Sequence, residues 1–417
     1  MATRVTRGLF RISITVLILC VATIGYCALF RSMPRALPAP SGRYGVGRQE
    51  FTWRSAAEGI GTEVTGQPET DDLAVCIWYP TEVGAPGMPA AYLSAVWRSA
   101  SLPRATVQAL LTQDYSVVRD HAIEGAPLAP DETEYPLVLL TAEPHVGAFS
   151  YSAFAEQMAS DGYIVVGITV GGTSAVDFHP LAGSTLVAKE THATPAHRGL
   201  AARWAGDIRF VLDMLRTMNL EESGMFASRI DFSRVALLGA GFGGEASREA
   251  AALLTQSVPV VMLGGSVPPS GFGTGPGGPL LVLGSDSSRI PTATHQAGVS
   301  RADEGIYRIR GSTPLSITDF PYLFCPTLRA SGALGAIAPA RMKTIVCDMV
   351  QTFLDSMWVN RINYESLFGT ASGAIPPQAG YPGSLPLTLP PPPDGAAVLS
   401  AVAEAARQYP EVVRYVP

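Results

Sequence analysis

Residues 234–254 constrain the fold of this chain more than any other stretch. They read RVALLGAGFGGEASREAAALL: a short apolar run, a cluster of glycines, and an alanine-rich run with high helix propensity. The apolar run at 235–238 is typical of a strand buried on both faces. Glycines crowd a turn of this kind because they adopt positive φ and let two backbones approach closely. The stretch therefore predicts a strand, a sharp turn and a helix in succession.

The same glycines fit a second pattern. Gly239, Gly241 and Gly244 match G-x-G-x-x-G after a strand, the fingerprint of dinucleotide-binding domains. That fingerprint needs an acidic residue about 20 positions further on, where it binds the ribose. The sequence has no Asp or Glu between Glu249 and Asp286. A dinucleotide-binding module is therefore the weaker interpretation, and a turn whose glycines serve packing alone stays open beside it.

Apolar runs bounded by Gly or Pro alternate with helical patterns over residues 71–360. This alternation predicts a mostly parallel central sheet flanked by helices, with any site at the carboxyl ends of its strands. With 417 residues, of which 47% are hydrophobic and 15% charged, the chain can bury one large α/β core. We place that domain at 71–360, after a linker and first strands at 34–70.

Residues 1–33 predict a signal anchor that spans a membrane. Arg4, Arg7 and Arg11 precede an uncharged run at 12–30, which as a helix would reach roughly 28 Å, about the thickness of the hydrocarbon core of a bilayer. No small-x-small cleavage pattern follows. We therefore expect an uncleaved N-terminal membrane-anchor helix, with the globular domain outside the cytoplasm (periplasmic in a bacterium). Arginines after the span leave its orientation open.

The remaining composition limits partners and cofactors. A net charge of -6 and only two lysines exclude a nucleic-acid partner. The five cysteines do not form a disulfide framework; only Cys325 and Cys347 have the setting to pair, and their spacing does not require it. No cysteine–histidine cluster has metal-ligand spacing, so we expect no metal and no cofactor. Residues 361–395 form a Pro/Gly-rich linker, and 396–417 a tail with a short helix.

Four stretches in the right order resemble one family. They are residues 74–80 (AVCIWYP), 135–166, 230–244 (IDFSRVALLGAGFGG) and 309–323 (IRGSTPLSITDFPYL). Through them the chain resembles the platelet-activating-factor acetylhydrolase and dienelactone-hydrolase-like branch of the α/β-hydrolases, over about residues 45–360. The resemblance implies an α/β-hydrolase fold. Enzymes of that family cleave short or oxidised acyl esters without a metal or cofactor.

The resemblance also implies where catalytic groups would stand. The family needs a serine at the apex of a G-x-S-x-G elbow, a histidine that takes its proton, and an acid that orients the histidine. In this chain the apex falls on Gly241, the acid position on Gly264 and the histidine position on Pro314. No histidine follows His295 anywhere in the sequence. The catalytic triad is therefore expected to be lost, at a cost of about a millionfold in rate.

The expected oxyanion hole is also incomplete. The resemblance places its two backbone donors at Phe242 and at Pro144, and proline has no N–H. Losing one donor costs on the order of 100- to 1000-fold. Remaining pocket candidates beside Gly241 and Phe242 are Glu143 and His145, because an acid next to a histidine is capable of base catalysis. Asp286 is a further candidate, since it follows an expected strand at a place where the resemblance to other α/β-hydrolases implies an acid.

Three functions follow in order of preference. The first is a catalytically inactive, membrane-anchored pseudoenzyme that binds a lipid or protein partner. The second is an active carboxylic ester or lipid hydrolase that uses relocated residues such as Glu143, His145 or Asp286. The third is the dinucleotide-binding module. Serines at strand ends and scattered loop histidines are weaker candidates: Ser266, Ser285, Ser312, Ser316, His179, His192 and His197.

Overall fold

One mixed sheet organises the molecule. The computed structural model describes residues 2–55, 72–93, 114–144, 146–170, 195–254, 256–265, 278–286, 304–323, 332–368 and 395–414. The strands are β1 (Arg35–Ala36), β2 (Gly45–Arg54), β3 (Asp72–Thr81), β4 (Pro89–Ala91), β5 (Val118–Glu124), β6 (Tyr135–Thr141), β7 (Ile164–Val170), β8 (Ile230–Ala240), β9 (Val260–Leu263), β10 (Leu280–Ser285), β11 (Glu304–Ile309) and β12 (Val412–Arg414). The helices are α1 (Ala2–Ser32), α2 (Ser152–Ser160), α3 (Pro195–Leu220), α4 (Phe242–Leu253), α5 (Phe320–Leu323), α6 (Pro339–Phe368) and α7 (Gly395–Arg407).

The centre of the sheet is parallel. The strand order is β1-β5-β2-β3-β7-β6-β8-β9-β10-β11-β12, with β4 paired to β5 at one side. All neighbouring pairs from β7 through β11 are parallel, whereas β3 joins β7 and β12 joins β11 in antiparallel pairs. The predicted α/β-hydrolase fold with a mostly parallel sheet is therefore confirmed. The carboxyl ends of β6, β8, β9 and β10 meet at one edge, where such folds place their sites.

Helices cover both faces of this sheet. Alternation along β6 sends Leu137 and Leu139 to one face, and Val138 and Leu140 to the other. The first face packs against α3 and α4, whose apolar stripes include Trp204 and Ile208 of α3. The second face packs against α2, α6 and α7. Burial on both faces explains why the central strands are continuous apolar runs.

The N-terminal helix differs from the rest of the molecule. Residues Arg11–Ser32 of α1 are long and apolar enough to cross a membrane, and nearly all of them lie outside the packed core. Only its last turns contact the domain, where Cys27 and Phe30 are buried and Arg35 stacks over the Phe30 ring at 4.2 Å. Helices of this length and composition occur in membrane anchors and in signal sequences alike.

The C-terminal segment completes the far edge of the sheet. After α7, β12 pairs with β11, and the Arg341 guanidinium of α6 binds the Glu411 carboxylate at 3.1 Å. Most of the linker predicted at 361–395 lies outside the described residues, although α6 continues to Phe368. Of the two cysteines considered for pairing, Cys347 carries a buried free thiol, while Cys325 lies outside the described residues.

Candidate active site

The predicted strand, turn and helix are present at residues 230–253. β8 ends at Ala240, Gly241 forms the turn, and α4 begins at Phe242. Gly241 has φ 52° and ψ -122°, a left-handed conformation that L side chains rarely adopt. Its N–H donates to the Leu263 carbonyl at 3.0 Å, and its carbonyl accepts from the Gly244 N–H at 3.1 Å. The backbone of a nucleophile elbow is therefore built, with glycine at its apex.

Close packing explains the other glycines of the turn. A Cβ on Gly239 would lie 2.1 Å from the Gly243 carbonyl oxygen, and one on Gly243 would lie 2.4 Å from the Thr141 carbonyl oxygen. Both contacts are with backbone, so neither can be relieved by rotating a side chain. α4 can start this close to the ends of β6 and β8 only without side chains at these positions, and a dinucleotide is not needed to account for them.

The three positions expected for a triad lie side by side. A Cβ on Gly264, which has φ 67°, would lie 3.1 Å from the Cα of Pro314. A Cβ on Gly265 would lie 3.2 Å from the Cα of Gly241. The carboxyl ends of β8 and β9 and the loop after β11 thus converge on one spot, as the resemblance implies. None of the three side chains there can accept a proton or attack a carbonyl carbon.

The Glu143 side chain stands over Gly241. A Cβ on Gly241 would lie 2.8 Å from the Glu143 carboxyl carbon and 2.9 Å from its Oε1. Glu143 is only 8% exposed, and its carboxyl group makes no hydrogen bond or ion pair with the described residues. Burial raises the pKa of this carboxyl to about 7. A side chain at the apex of the elbow would therefore have to share its space with a buried, unpaired acid.

Tyr151 supplies a second polar group beside Glu143. Its hydroxyl is buried and has no hydrogen-bond partner in the described part of the chain. Burial raises the pKa of Tyr151 well above its ordinary value, and the charge on Glu143 raises it further. The phenol therefore stays protonated. No local pattern in the sequence distinguishes this tyrosine, which follows β6, from a core aromatic, so it was not predicted.

The two expected oxyanion positions flank the elbow differently. Pro144 is buried directly after Glu143, and the Val146 N–H donates to the Glu143 carbonyl at 3.0 Å across it. Phe242 opens α4, and its ring packs edge-on against Trp204 with centroids 5.0 Å apart. Phe242 thus has an amide at a helix N-terminus, where negative charge is stabilised, whereas Pro144 has none to offer.

The Asp286 side chain binds the loop after β11 and has no described contact with the elbow. It is exposed just beyond β10, and its Oδ2 accepts from the Gly311 N–H at 2.5 Å. Its own N–H donates to the Ser312 carbonyl at 3.2 Å. Ser312 and Ser316 donate in turn to the carbonyls of Ile309 and Leu334, at 2.6 and 3.0 Å. These residues hold the loop that carries Pro314, and we assign Asp286 a positioning role in that loop.

No histidine side chain that the structure describes lies at the elbow. Of the six histidines in the sequence, His121 has a described side chain, and its Nε2 lies 2.8 Å from the Leu37 carbonyl oxygen, on the β5 side of the sheet. His145, Ser266 and the loop histidines His179, His192 and His295 lie outside the described residues. His197 begins α3, but its side chain is not described.

Comparisons with known proteins support the fold and the family resemblance. The family described as platelet-activating factor acetylhydrolase, isoform II, matches residues 31–181. A ferulic acid esterase from Streptomyces cinnamoneus has a similar structure, with a TM-score of 0.57 and 22% sequence identity, over 78% of this chain and 93% of the esterase. No curated protein matches the sequence. The resemblance is thus confirmed, and the elbow falls outside the matched family segment.

Proposed function

We propose that this protein is a catalytically inactive member of the esterase-like α/β-hydrolases. In this proposal it is held at a membrane by α1 and binds a lipid or protein partner through the domain. The observation that carries the proposal is the position of Glu143. Its carboxyl group fills the space above Gly241 where a nucleophile's side chain would project. A hydroxyl at position 241 would meet the Glu143 carboxyl, with no histidine side chain beside it among the described residues.

Two further features support the loss of ester hydrolysis. Pro144 stands where the resemblance expects a backbone donor to the oxyanion, and it lacks an N–H. Pro314 stands where the resemblance expects the general base. Acyl transfer needs a nucleophile, a base and an oxyanion hole together, so each absence lowers the rate separately.

The membrane attachment rests on α1. Exposure of the apolar side chains of Arg11–Ser32 to water is unfavourable. A bilayer or a partner helix would bury them. The arginines before the span favour a domain outside the cytoplasm, and the arginines after it oppose that orientation. Fractionation of the full-length protein tests this part: we expect it in the membrane fraction after carbonate washing, and release into the soluble fraction would contradict it.

Ester hydrolysis is the direct test. We expect the full-length protein in detergent micelles to remain unlabelled by a fluorophosphonate probe and to leave short-chain p-nitrophenyl esters unhydrolysed. Gly241→Ser should not restore activity, because no base is added with the hydroxyl. Labelling of the wild-type protein, or turnover that one substitution removes, would contradict the proposal.

A second candidate function is favoured by one observation. The raised pKa of Glu143, about 7, suits a general base that activates water. The chain would then be a hydrolase with a relocated base. In that case ester turnover would be measurable in the wild type, would rise with pH through about 7, and would be lost in Glu143→Gln. Turnover that survives this substitution would exclude Glu143 as the base.

A further inference from the structure

Glu143 differs from an ordinary buried acid because its charge has no counterpart. The carboxyl is 8% exposed and makes no hydrogen bond or ion pair within the described residues. Desolvation alone shifts its pKa, so no described arginine or lysine compensates it. Buried polar groups in proteins are nearly always hydrogen-bonded, and an unpaired buried carboxylate costs free energy. A group that binds this carboxylate would recover part of that cost.

The surroundings define the chemistry of such a group. The carboxyl lies above Gly241, which has no side chain, and Gly265 packs in turn against the backbone of Gly241. Tyr151 adds a neutral hydroxyl without a partner beside it. A cation complements the carboxylate electrostatically, and N–H donors satisfy its lone pairs. Because Glu143 is only 8% exposed, we expect a slender primary ammonium to reach its carboxylate more easily than a bulky quaternary ammonium.

We propose that the elbow is a binding site for a small primary amine, whose ammonium group pairs with the Glu143 carboxylate over Gly241. The proposal rests on the proposed function in one respect: no acyl ester is processed in the same space. It adds the chemical class of the ligand. Gly241 and the N-terminus of α4 lie on one side of the Glu143 carboxyl, and in this proposal the ammonium group approaches from another side.

The test measures binding of n-butylammonium chloride to the full-length protein in nonionic detergent, by saturation-transfer NMR titration. We expect saturable binding at pH 8.5. Affinity should fall about 30-fold at pH 5.5, because only the ionised carboxyl of Glu143, with its pKa of about 7, attracts the cation. Tyr151 faces Glu143 but stays protonated across this range, and Asp319 is the next acid along, acting on Tyr151. n-Butanol should not compete, and tetramethylammonium should bind at least about tenfold more weakly.

Substitutions make the test specific to Glu143. Glu143→Gln keeps the size of the side chain and should lower n-butylammonium affinity at least about tenfold at pH 8.5, with no remaining pH dependence. Glu222→Gln, which removes an exposed acid after α3, should leave binding unchanged. Absent saturable binding, equal affinity in Glu143→Gln, or equal affinity at both pH values would overturn the proposal. Ester turnover is assayed separately, so failure here leaves the proposed function standing.

Discussion

Two buried carboxyl groups near Tyr151, those of Asp319 and Glu143, differ in their hydrogen bonding. Asp319 is 1% exposed, and its oxygens accept from the N–H groups of Ser152 and Ala153, at 3.0 and 3.1 Å, and from the Tyr92 hydroxyl at 3.1 Å. Glu143 is nearly as buried, yet its oxygens accept from no described residue. Both acids lie close to a helix N-terminus, of α2 for Asp319 and of α4 for Glu143.

The difference separates a structural acid from a candidate functional one. Asp319 supplies acceptors that the first turn of α2 otherwise lacks, and so fastens the loop after β11 to that helix. The Glu143 carboxyl accepts from no donor among the residues that the structure describes. A buried acid with a perturbed pKa and no described partner is a candidate functional residue. The contrast is why we propose Glu143 as the functional group of this site.

A second structural region shows how the fold compensates buried charge. The Arg48 guanidinium lies between Asp120, at 2.7 Å, and Glu50, and also donates to the Ala91 carbonyl. The N–H groups of His121 and Ala122 both donate to Glu156 at 2.9 Å. Burial raises the pKa of Asp120 to about 6 although Arg48 opposes the shift. Every acid in this region has a donor, unlike Glu143.

The largest expected effect is the loss of Arg48. Arg48→Met leaves Asp120 and Glu50 without their cation in a buried site, so the free energy of unfolding should fall by about 3–5 kcal/mol. Urea denaturation of the detergent-solubilised protein, followed by tryptophan fluorescence, measures it. Arg54→Met is the control: its pair with Asp72 is exposed, and the change should stay below about 1 kcal/mol. Equal effects would mean that the Arg48 cluster is not buried as described.

The next effect is the pH dependence that Glu143 imposes. Its pKa is raised to about 7 from an ordinary 4.5, so its contribution to stability is present below about pH 4.5 and is lost as the pH rises through 7. Glu143→Gln should match the wild type at pH 4.5 and be more stable by about 3 kcal/mol at pH 8.5. Unfolding curves for both proteins across this range measure the difference. A difference that does not change with pH would show that Glu143 is solvated or paired.

Removal of the Asp319 carboxyl should have a smaller effect on the free energy of unfolding, and it should destabilise the protein, whereas Glu143→Gln stabilises it at high pH. Asp319→Ala leaves the N–H groups of Ser152 and Ala153 and the Tyr92 hydroxyl buried without an acceptor, which should cost about 2–3 kcal/mol of unfolding free energy at pH 7. Asp114→Ala is the control: it removes an acid that caps an exposed turn through Ser116, and should cost about 1 kcal/mol or less. An unchanged free energy of unfolding in Asp319→Ala would show that Asp319 does not stabilise the fold.

The smallest effect tests the contact between Gly241 and Glu143. Gly241→Ala introduces a Cβ at positive φ and within 3 Å of the Glu143 side chain, and should cost about 1–3 kcal/mol. Glu143→Ala removes the contact but not the strained φ, so the double variant should recover about 1 kcal/mol. Strictly additive effects would place Glu143 elsewhere. Gly206→Ala in α3, where the added Cβ meets open space, should instead stabilise by about 0.5–1 kcal/mol.

Much of the fold was predictable because its signals are local. The strand, turn and helix expected at 234–254 are present as β8, Gly241 and α4, since the apolar run, the glycines and the alanine-rich run each act locally. β8 begins at Ile230, five residues before the predicted apolar run, because Ile230 and Asp231 pair with Tyr135 and Pro136 across a bulge. That extension depends on a partner strand about a hundred residues away in sequence. No local pattern records it.

The candidate site was only half predictable. Glu143 was among the pocket candidates, from its place after β6, but Asp286 was too, and Asp286 instead binds the Gly311 amide at the surface. Tyr151 was missed, and Asp319 entered only as one letter of a family pattern. Whether an acid has a partner depends on atoms from distant segments, such as Tyr92 for Asp319. A linear pattern cannot supply these atoms.

The sequence by itself determined that positions 241, 264 and 314, where the resemblance implies a triad, hold glycine and proline, whose side chains carry no nucleophile, base or acid under any fold. It also determined the α/β class, because the hydrophobic pattern and the glycine spacing are properties of single stretches of the chain. Only the tertiary structure decided that Glu143 stands over Gly241, buried and unpaired. Burial and pairing are properties of space between elements, and so they follow from how β6, β8 and α4 pack together.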